Sequence, residues 1–211
     1  MTEQSPAGIT GQSPAGMTRR AAQGRATREQ LIEVATGLFA ERGYEETSIE
    51  AVLAAAGVSR GALYHHFGGK DALFEAVLET VENGVTARLT AEIAGAPDAV
   101  SAVESAALAW IEMAGDPLIQ RIILIDAPSV LGLERWRALN EEYSLGATRA
   151  LLQAVADEGH LSPDLVAPFA QMLLGALDEA AMAIARADDR QAALETGRHA
   201  VRELLRRIFV G

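Results

Sequence analysis

The stretch "TSIEAVLAAAGVSRGALYHHFGGK", residues 47–70, decides how this chain reads. Thr47-Ser48-Ile49-Glu50 has the spacing of a capping box, in which a hydroxyl and a carboxylate three residues apart satisfy free backbone N–H groups. The helix it opens is short, because Gly57 can take the left-handed backbone that stops a helix. Ser59 can cap the next helix. Two short helices around the turn Ala56-Gly57-Val58-Ser59 make the layout of a helix-turn-helix.

On a helical wheel the second of these helices has two unlike sides. Leu63 and Phe67, four residues apart, define a buried side. Gly61, Tyr64 and His65 fall opposite, with Arg60 flanking and His66 near the buried edge. A face made only for solubility carries Glu and Lys, whereas this one carries a bare backbone, a phenol, an imidazole and a guanidinium, with no acid. Such a face suits the major groove of DNA, where Arg can fork onto guanine. Gly61 lets the backbone of the first turn approach a phosphate. Lys70, the only lysine in the chain, opens the following helix, where it can hold another phosphate.

Other chemistries fit this stretch poorly. A phosphate-binding loop needs Gly, four residues, then Gly-Lys-Ser/Thr. Here Asp71 follows Gly69-Lys70, and Tyr64 stands where the first glycine belongs. His65 and His66 are adjacent, so they do not share a helix face as metal ligands must. No nucleophile or orienting carboxylate is spaced to make them catalytic. No metal, no cofactor and no enzymatic activity is expected.

Upstream, Thr27-Arg28-Glu29-Gln30 also has capping-box spacing. Leu31, Val34, Ala35, Leu38 and Phe39 then recur along one helical face, and Gly43 is a plausible stop. Residues 1–24 repeat "SPAGIT" as "SPAGMT" and lack apolar periodicity, so the spacing predicts a disordered N-terminal extension; Met17 is a second candidate start. Downstream, Pro and Gly breaks divide the chain into about six further helices, for an all-α chain of about nine. The expected division is the extension (1–24), a helix-turn-helix head (25–71) and a larger helical domain (72–211). "RIILI" at 121–125 is the one β-branched run, too isolated for a sheet.

Composition bounds the setting. The 211 residues contain no cysteine, and no apolar run reaches membrane-spanning length, so a cytoplasmic protein is expected. The net charge of −11 weighs against nucleic acid, but residues 1–75 carry seven basic and nine acidic groups against eleven and twenty in the rest. Four arginines and no acid lie between residues 19 and 28. The distribution permits a basic head on an acidic body.

The segment "TSIEAVLAAAGVSRGALYHHFGGKDALFEAV" (47–77) resembles the DNA-binding signature of the TetR family of bacterial transcriptional regulators, with the detailed match over roughly residues 27–77. The resemblance implies a homodimer whose three-helix heads bind double-stranded operator DNA and whose larger domains bind a small molecule and dimerise. It places Thr47, Ser48, Ser59, Arg60, Gly61, Tyr64, His65, His66 and Lys70 at positions that touch bases or phosphates. The implied function is a repressor released from a palindromic operator by a ligand. The alternative is a helical ligand-binding or adaptor protein that has lost DNA binding, for which the net charge and the Gly68-Gly69 joint speak.

Large or polar groups on apolar stretches are the candidate ligand contacts: Trp110, Met113, Asp126, Trp136, Tyr143 and Met172. The 5% aromatic content does not indicate an aromatic cage, and the acidic body favours cationic ligands only weakly. Two late helices carry wide apolar stripes that suit a four-helix dimer interface. One has Phe169, Leu173, Leu177 and Ile184; the other has Gly197, Val201, Leu204, Leu205 and Ile208.

Overall fold

A computed structural model describes residues 14–113 and 115–209. All regular structure among them is helical. Three helices form the head: α1 (Pro14–Glu46), α2 (Ile49–Ala56) and α3 (Arg60–His66). α4 (Lys70–Ile93) leads into α5 (Ala99–Met113). Next, α6 (117–130) carries a π-helical turn at Gln120–Asp126, and α7 (132–157) another at Glu141–Leu145. α8 (Val166–Arg186) and α9 (Arg190–Phe209) complete the body.

The caps of the helix-turn-helix form as local chemistry dictates, with one exchange. Ser48, not Thr47, caps α2, its hydroxyl accepting the Ala51 N–H at 3.1 Å. Gly57 closes α2 at φ 65°, donating its N–H to Leu53. Ser59 caps α3 by accepting the Ala62 N–H at 3.2 Å.

The upstream expectations need correction. Helix α1 already begins at Pro14, inside the segment expected to be disordered; the Ala- and Arg-rich run 19–28 has good helix formers, and proline suits a first helical turn. The rest of that expectation, residues 1–13, lies outside the described residues. Thr27 is therefore interior, donating its hydroxyl to the Gln23 carbonyl. Gln30 closes no capping box: its amide donates to the Ala56 carbonyl at 2.9 Å and so ties α1 to the end of α2. "RIILI" lies within the α6 π-turn, where Ile122 is fully buried.

Gly43 breaks α1 at φ 81°, ψ 171°, a conformation close to glycine-only. The Arg121 guanidinium of α6 occupies the space where a Cβ would stand. Beside it, Asp126 accepts the Tyr44 N–H at 2.8 Å and pairs with Arg121 Nε at 3.2 Å. A buried carboxylate on the body thus holds the corner of the head. Gly43→Ala is expected to destabilise the protein by about 2–3 kcal/mol, from backbone strain and a displaced Arg121; the midpoint of urea unfolding measures this.

Two apolar cores run through the molecule. The first joins Leu31, Ala35 and Phe39 of α1 and Leu63 of α3 to Leu73, Phe74 and Val77 of α4, and continues to Ile119 and Ile122 of α6. Head and α4 therefore share one core. The second packs α5, α7, α8 and α9 around Ile111, Leu152, Val155, Ala170 and Leu205. Trp110 touches both.

The second core takes up most of the expected dimer stripe. Leu173, Leu177, Ile184, Val201 and Leu205 are buried within the chain, and Gly197 admits Ile184, whose Cδ1 lies 2.9 Å from where a Cβ would stand. Phe169 and Ile208 are half-buried against the same core, and only Leu204 is well exposed. The stripe richest in large side chains is the one the monomer uses, because it gains most from burial. Residues 163–186 also form a helix long and apolar enough to cross a membrane, contrary to expectation, but its buried side is part of this core.

Candidate nucleic-acid interface and ligand cavity

Helix α3 exposes and buries the sides expected of it. Leu63 and Phe67 are buried, while Arg60, Gly61, Tyr64 and His65 are exposed. Tyr64 is 49% exposed, high for an aromatic side chain. A Cβ at Gly61 would meet nothing closer than the Ser59 hydroxyl, 4.0 Å away. Ser48 and Ser59 are exposed beside this face, with their hydroxyl oxygens engaged as caps. The face is less free of acid than the sequence implies, because Glu50 of α2 forms an ion pair with Arg60. A backbone hydrogen bond first, and the Arg60 pairing second, hold the Glu50 carboxyl below its ordinary range.

Three expected contact residues are placed differently. Thr47 is fully buried, and its hydroxyl donates to the Gly43 carbonyl at 2.7 Å, so it holds the corner between α1 and α2 rather than facing solvent. His66 is half-buried: it lies near Gly24 of α1 and lines a cavity at the joint with Arg28, Glu75 and Arg135. Lys70 has its ammonium 4.0 Å from the centre of the Tyr44 ring and within 3.4 Å of the Glu45 carbonyl. Tyr44 in turn donates its hydroxyl to Asp71 and packs edge-on against Phe74. Burial, then Asp71, raises the Tyr44 phenol well above its ordinary pKa. Lys70 is thus part of the seam between α1 and α4 as well as of the surface.

The body encloses a cavity of about 380 Å³ bounded by α4, α5, α7 and α8. Val85, Leu89, Val103, Leu151, Leu173 and Leu177 supply its apolar wall. Of the six candidate contacts, it brings together Trp110 and Tyr143. Met113 and Trp136 belong instead to the first core, Met172 is 67% exposed on the outside of α8, and Asp126 is the carboxylate that holds Tyr44. A large side chain on an apolar stretch marks burial, but not which buried space it borders.

That reasoning missed one acid that lines the cavity and a second close enough to act on it. Glu82 lines it from α4, and Asp178 stands on α8 next to the lining residue Leu177 and within reach of the Trp110 indole. Burial pushes Asp178 up to about 6, eased downward by the indole N–H. Burial pushes Glu82 up to about 7, and the charge of Asp178, which ionises first, adds to the rise. The signal was in the sequence: Glu82 lies four residues after Leu78 and three before Val85, both core positions. Tyr143 lines this cavity and the joint cavity beside His66, so one side chain borders both.

Among the described residues no group of three or more His, Asp or Glu side chains could hold a metal ion. Residues 31–77 match the family model "Bacterial regulatory proteins, tetR family", and residues 100–208 match "Tetracyclin repressor-like, C-terminal domain". The transcriptional regulator UidR of Escherichia coli is 26% identical over 185 residues, which cover 85% of this chain and 92% of UidR. A TetR-family regulator from Pectobacterium atrosepticum superposes with a TM-score of 0.75 at 35% identity, covering 90% of this chain and 97% of that one. FadR of Bacillus subtilis, solved in complex with stearoyl-CoA, shares the fold at 22% identity and a TM-score of 0.71, covering 84% of this chain and 96% of its own. With both halves of the chain matched and the head's geometry in place, this protein belongs to the TetR family of bacterial transcriptional regulators.

Proposed function

We propose that the protein is a dimeric repressor that binds a palindromic operator through paired α3 helices and is released when a small molecule enters the α4–α5–α7–α8 cavity. The reading is carried by the exposed α3 face, where Arg60, Gly61, Tyr64 and His65 stand together without a buried role. Ser48, Ser59 and Lys70 lie beside that face and supply phosphate contacts. On this reading Arg60 exchanges Glu50 for DNA, which costs little because the pair is exposed.

Dimerisation uses the outer faces of α8 and α9, where Met172 and Leu204 are exposed at 67% and 42%. These replace the core-facing stripe. Release follows from differential binding: a ligand favouring one spacing of the heads lowers DNA affinity by its preference for that state. α4 can transmit the change, since it lines the cavity and shares a core with the head. Tyr143, bordering the cavity and the joint, offers a second route.

Gly61→Ala tests this reading with little confounding. In the free protein a methyl group has room, and alanine favours a helix over glycine by about 1 kcal/mol, so the variant unfolds at a slightly higher temperature. If α3 docks closely on DNA, the same methyl weakens binding to the DNA upstream of the protein's own gene by roughly tenfold, or about 1.4 kcal/mol. Fluorescence anisotropy measures the loss. Unchanged affinity would remove α3 from the interface.

A further inference from the structure

The ligand cavity is apolar over most of its wall, and the residues that line it include no Lys, Arg or His. Its one formal charge is the Glu82 carboxylate, with Asp178 close enough to act on it electrostatically. Neither acid forms an ion pair among the described residues. The Trp110 Nε1 atom is buried there without a hydrogen bond of full bonding geometry, although Asp178 lies near the indole. Two carboxyl groups in such a place are costly when ionised, and either protons or a bound cation can relieve that cost. An anionic ligand would add a third negative charge. A neutral apolar ligand would leave the acids unanswered.

We propose that this cavity takes a lipophilic organic cation, its ammonium head beside the Glu82 and Asp178 carboxylates and its hydrocarbon body along Val85, Leu89, Leu151 and Leu173. Trp110 and Tyr143, whose aromatic side chains belong to the same lining, add attraction for a cation. The proposal rests on the reading of the chain as a ligand-responsive regulator and names the chemical class of the effector. It departs from the expectation from composition, because a low aromatic content does not prevent two rings and an acid from lining the same cavity.

The proton competes with such a ligand. The titrating groups that line the cavity are Glu82 from α4 and Tyr143 from α7, with Asp178 of α8 close enough to act on Glu82, and α5 lines it with apolar residues and the non-titrating Trp110. Glu79, Glu142 and Arg135 surround Tyr143, burial and the acids raising its phenol and Arg135 opposing them, so it stays neutral across the relevant range. Glu82 and Asp178 therefore set the pH response: binding strengthens as pH rises through about 6 to 7, and the cation displaces protons.

The test uses three probes with one chain length and different heads: decyltrimethylammonium, 1-decanol and decanoate. Calorimetry with the full chain at pH 8 should show the cation binding at least about tenfold tighter than either other probe, and at least about tenfold weaker at pH 5.5. Near pH 6.5 the heat should depend on the buffer, reporting released protons. Glu82→Gln and Asp178→Asn, which remove costly charges and should fold, should each weaken the cation about tenfold and flatten its pH dependence. Equal or tighter binding of decanol or decanoate, no cation binding, or full cation affinity in both variants overturns the proposal. If decanol or decanoate binds and releases operator DNA, ligand-responsive regulation stands and only the cationic class fails. If no probe binds while the same preparation holds operator DNA, the cation class is likewise overturned and DNA-binding regulation stands.

Discussion

Replacing Arg60 and Tyr64 together with alanine should lower operator affinity by roughly 100-fold or more while leaving the midpoint of thermal unfolding within a few degrees. Each good bidentate contact with a base contributes about 1–3 kcal/mol, and a symmetric dimer loses every contact twice, so Arg60 alone accounts for about 2–6 kcal/mol. Tyr64 adds contact area and a hydroxyl able to reach a phosphate. The fold has little stake in either side chain. Tyr64 is 49% exposed, and Arg60 pairs only with the exposed Glu50. Loss of affinity without loss of stability therefore locates the interface.

Lys70→Ala makes a less clean test. Its ammonium packs on Tyr44 and reaches the Glu45 carbonyl, so removing it also loosens the seam between α1 and α4. Gel shifts over a series of salt concentrations measure the Arg60/Tyr64 effect. The double variant should also show a shallower dependence on salt if Arg60 meets a phosphate rather than a base. Undiminished binding by the double variant would exclude α3 as the reading element.

The second large effect concerns pH. Glu82→Gln should stabilise the ligand-free protein by roughly 2–3 kcal/mol at pH 8 and by almost nothing near pH 4.5. The folded-state pKa of Glu82 is raised from 4.5 to about 7, by burial first and by the charge of Asp178 second. Between those values the folded protein holds a proton that the unfolded chain has released. Wild-type stability therefore falls as pH rises through this window, and the deficit is complete above about pH 7. Glutamine carries no charge at any pH and escapes the deficit. Urea unfolding of both proteins at pH 4.5, 6 and 8 should give curves that converge in acid and separate in base. Separation in the opposite direction would mean that the Glu82 carboxylate has a favourable partner in the fold.

Legibility followed distance along the chain. The caps at Ser48 and Ser59, the αL stop at Gly57 and the two faces of α3 were all readable, because each depends on neighbours within four residues. Where the same logic failed, a partner outside the helix being capped had claimed the side chain. Thr47 reads as a cap, but the carbonyls of Gly43 and Leu38 claim its hydroxyl and Ser48 takes the cap. Gln30 reads as half of a capping box, but its amide finds Ala56. Trp110 and Tyr143 were identified from size and polarity; Met113, Asp126, Trp136 and Met172 were chosen by the same rule and lie elsewhere, since that rule does not tell a cavity wall from a core.

The sequence by itself determined that the chain is all-helical and that its head is a helix-turn-helix whose second helix has a polar outer face. Helix starts, stops and faces are set by local hydrogen bonds and a 3.6-residue period, which any segment carries within itself. Only the tertiary structure decided which apolar face of α8 and α9 is core, that Gly43 yields its space to Arg121, and that Glu82 lines a cavity with Asp178 close enough to act on it. Those outcomes depend on packing and electrostatics between helices far apart in the chain. A carboxylate acquires its meaning from the dielectric and the charges around it, and these exist only once the helices have assembled.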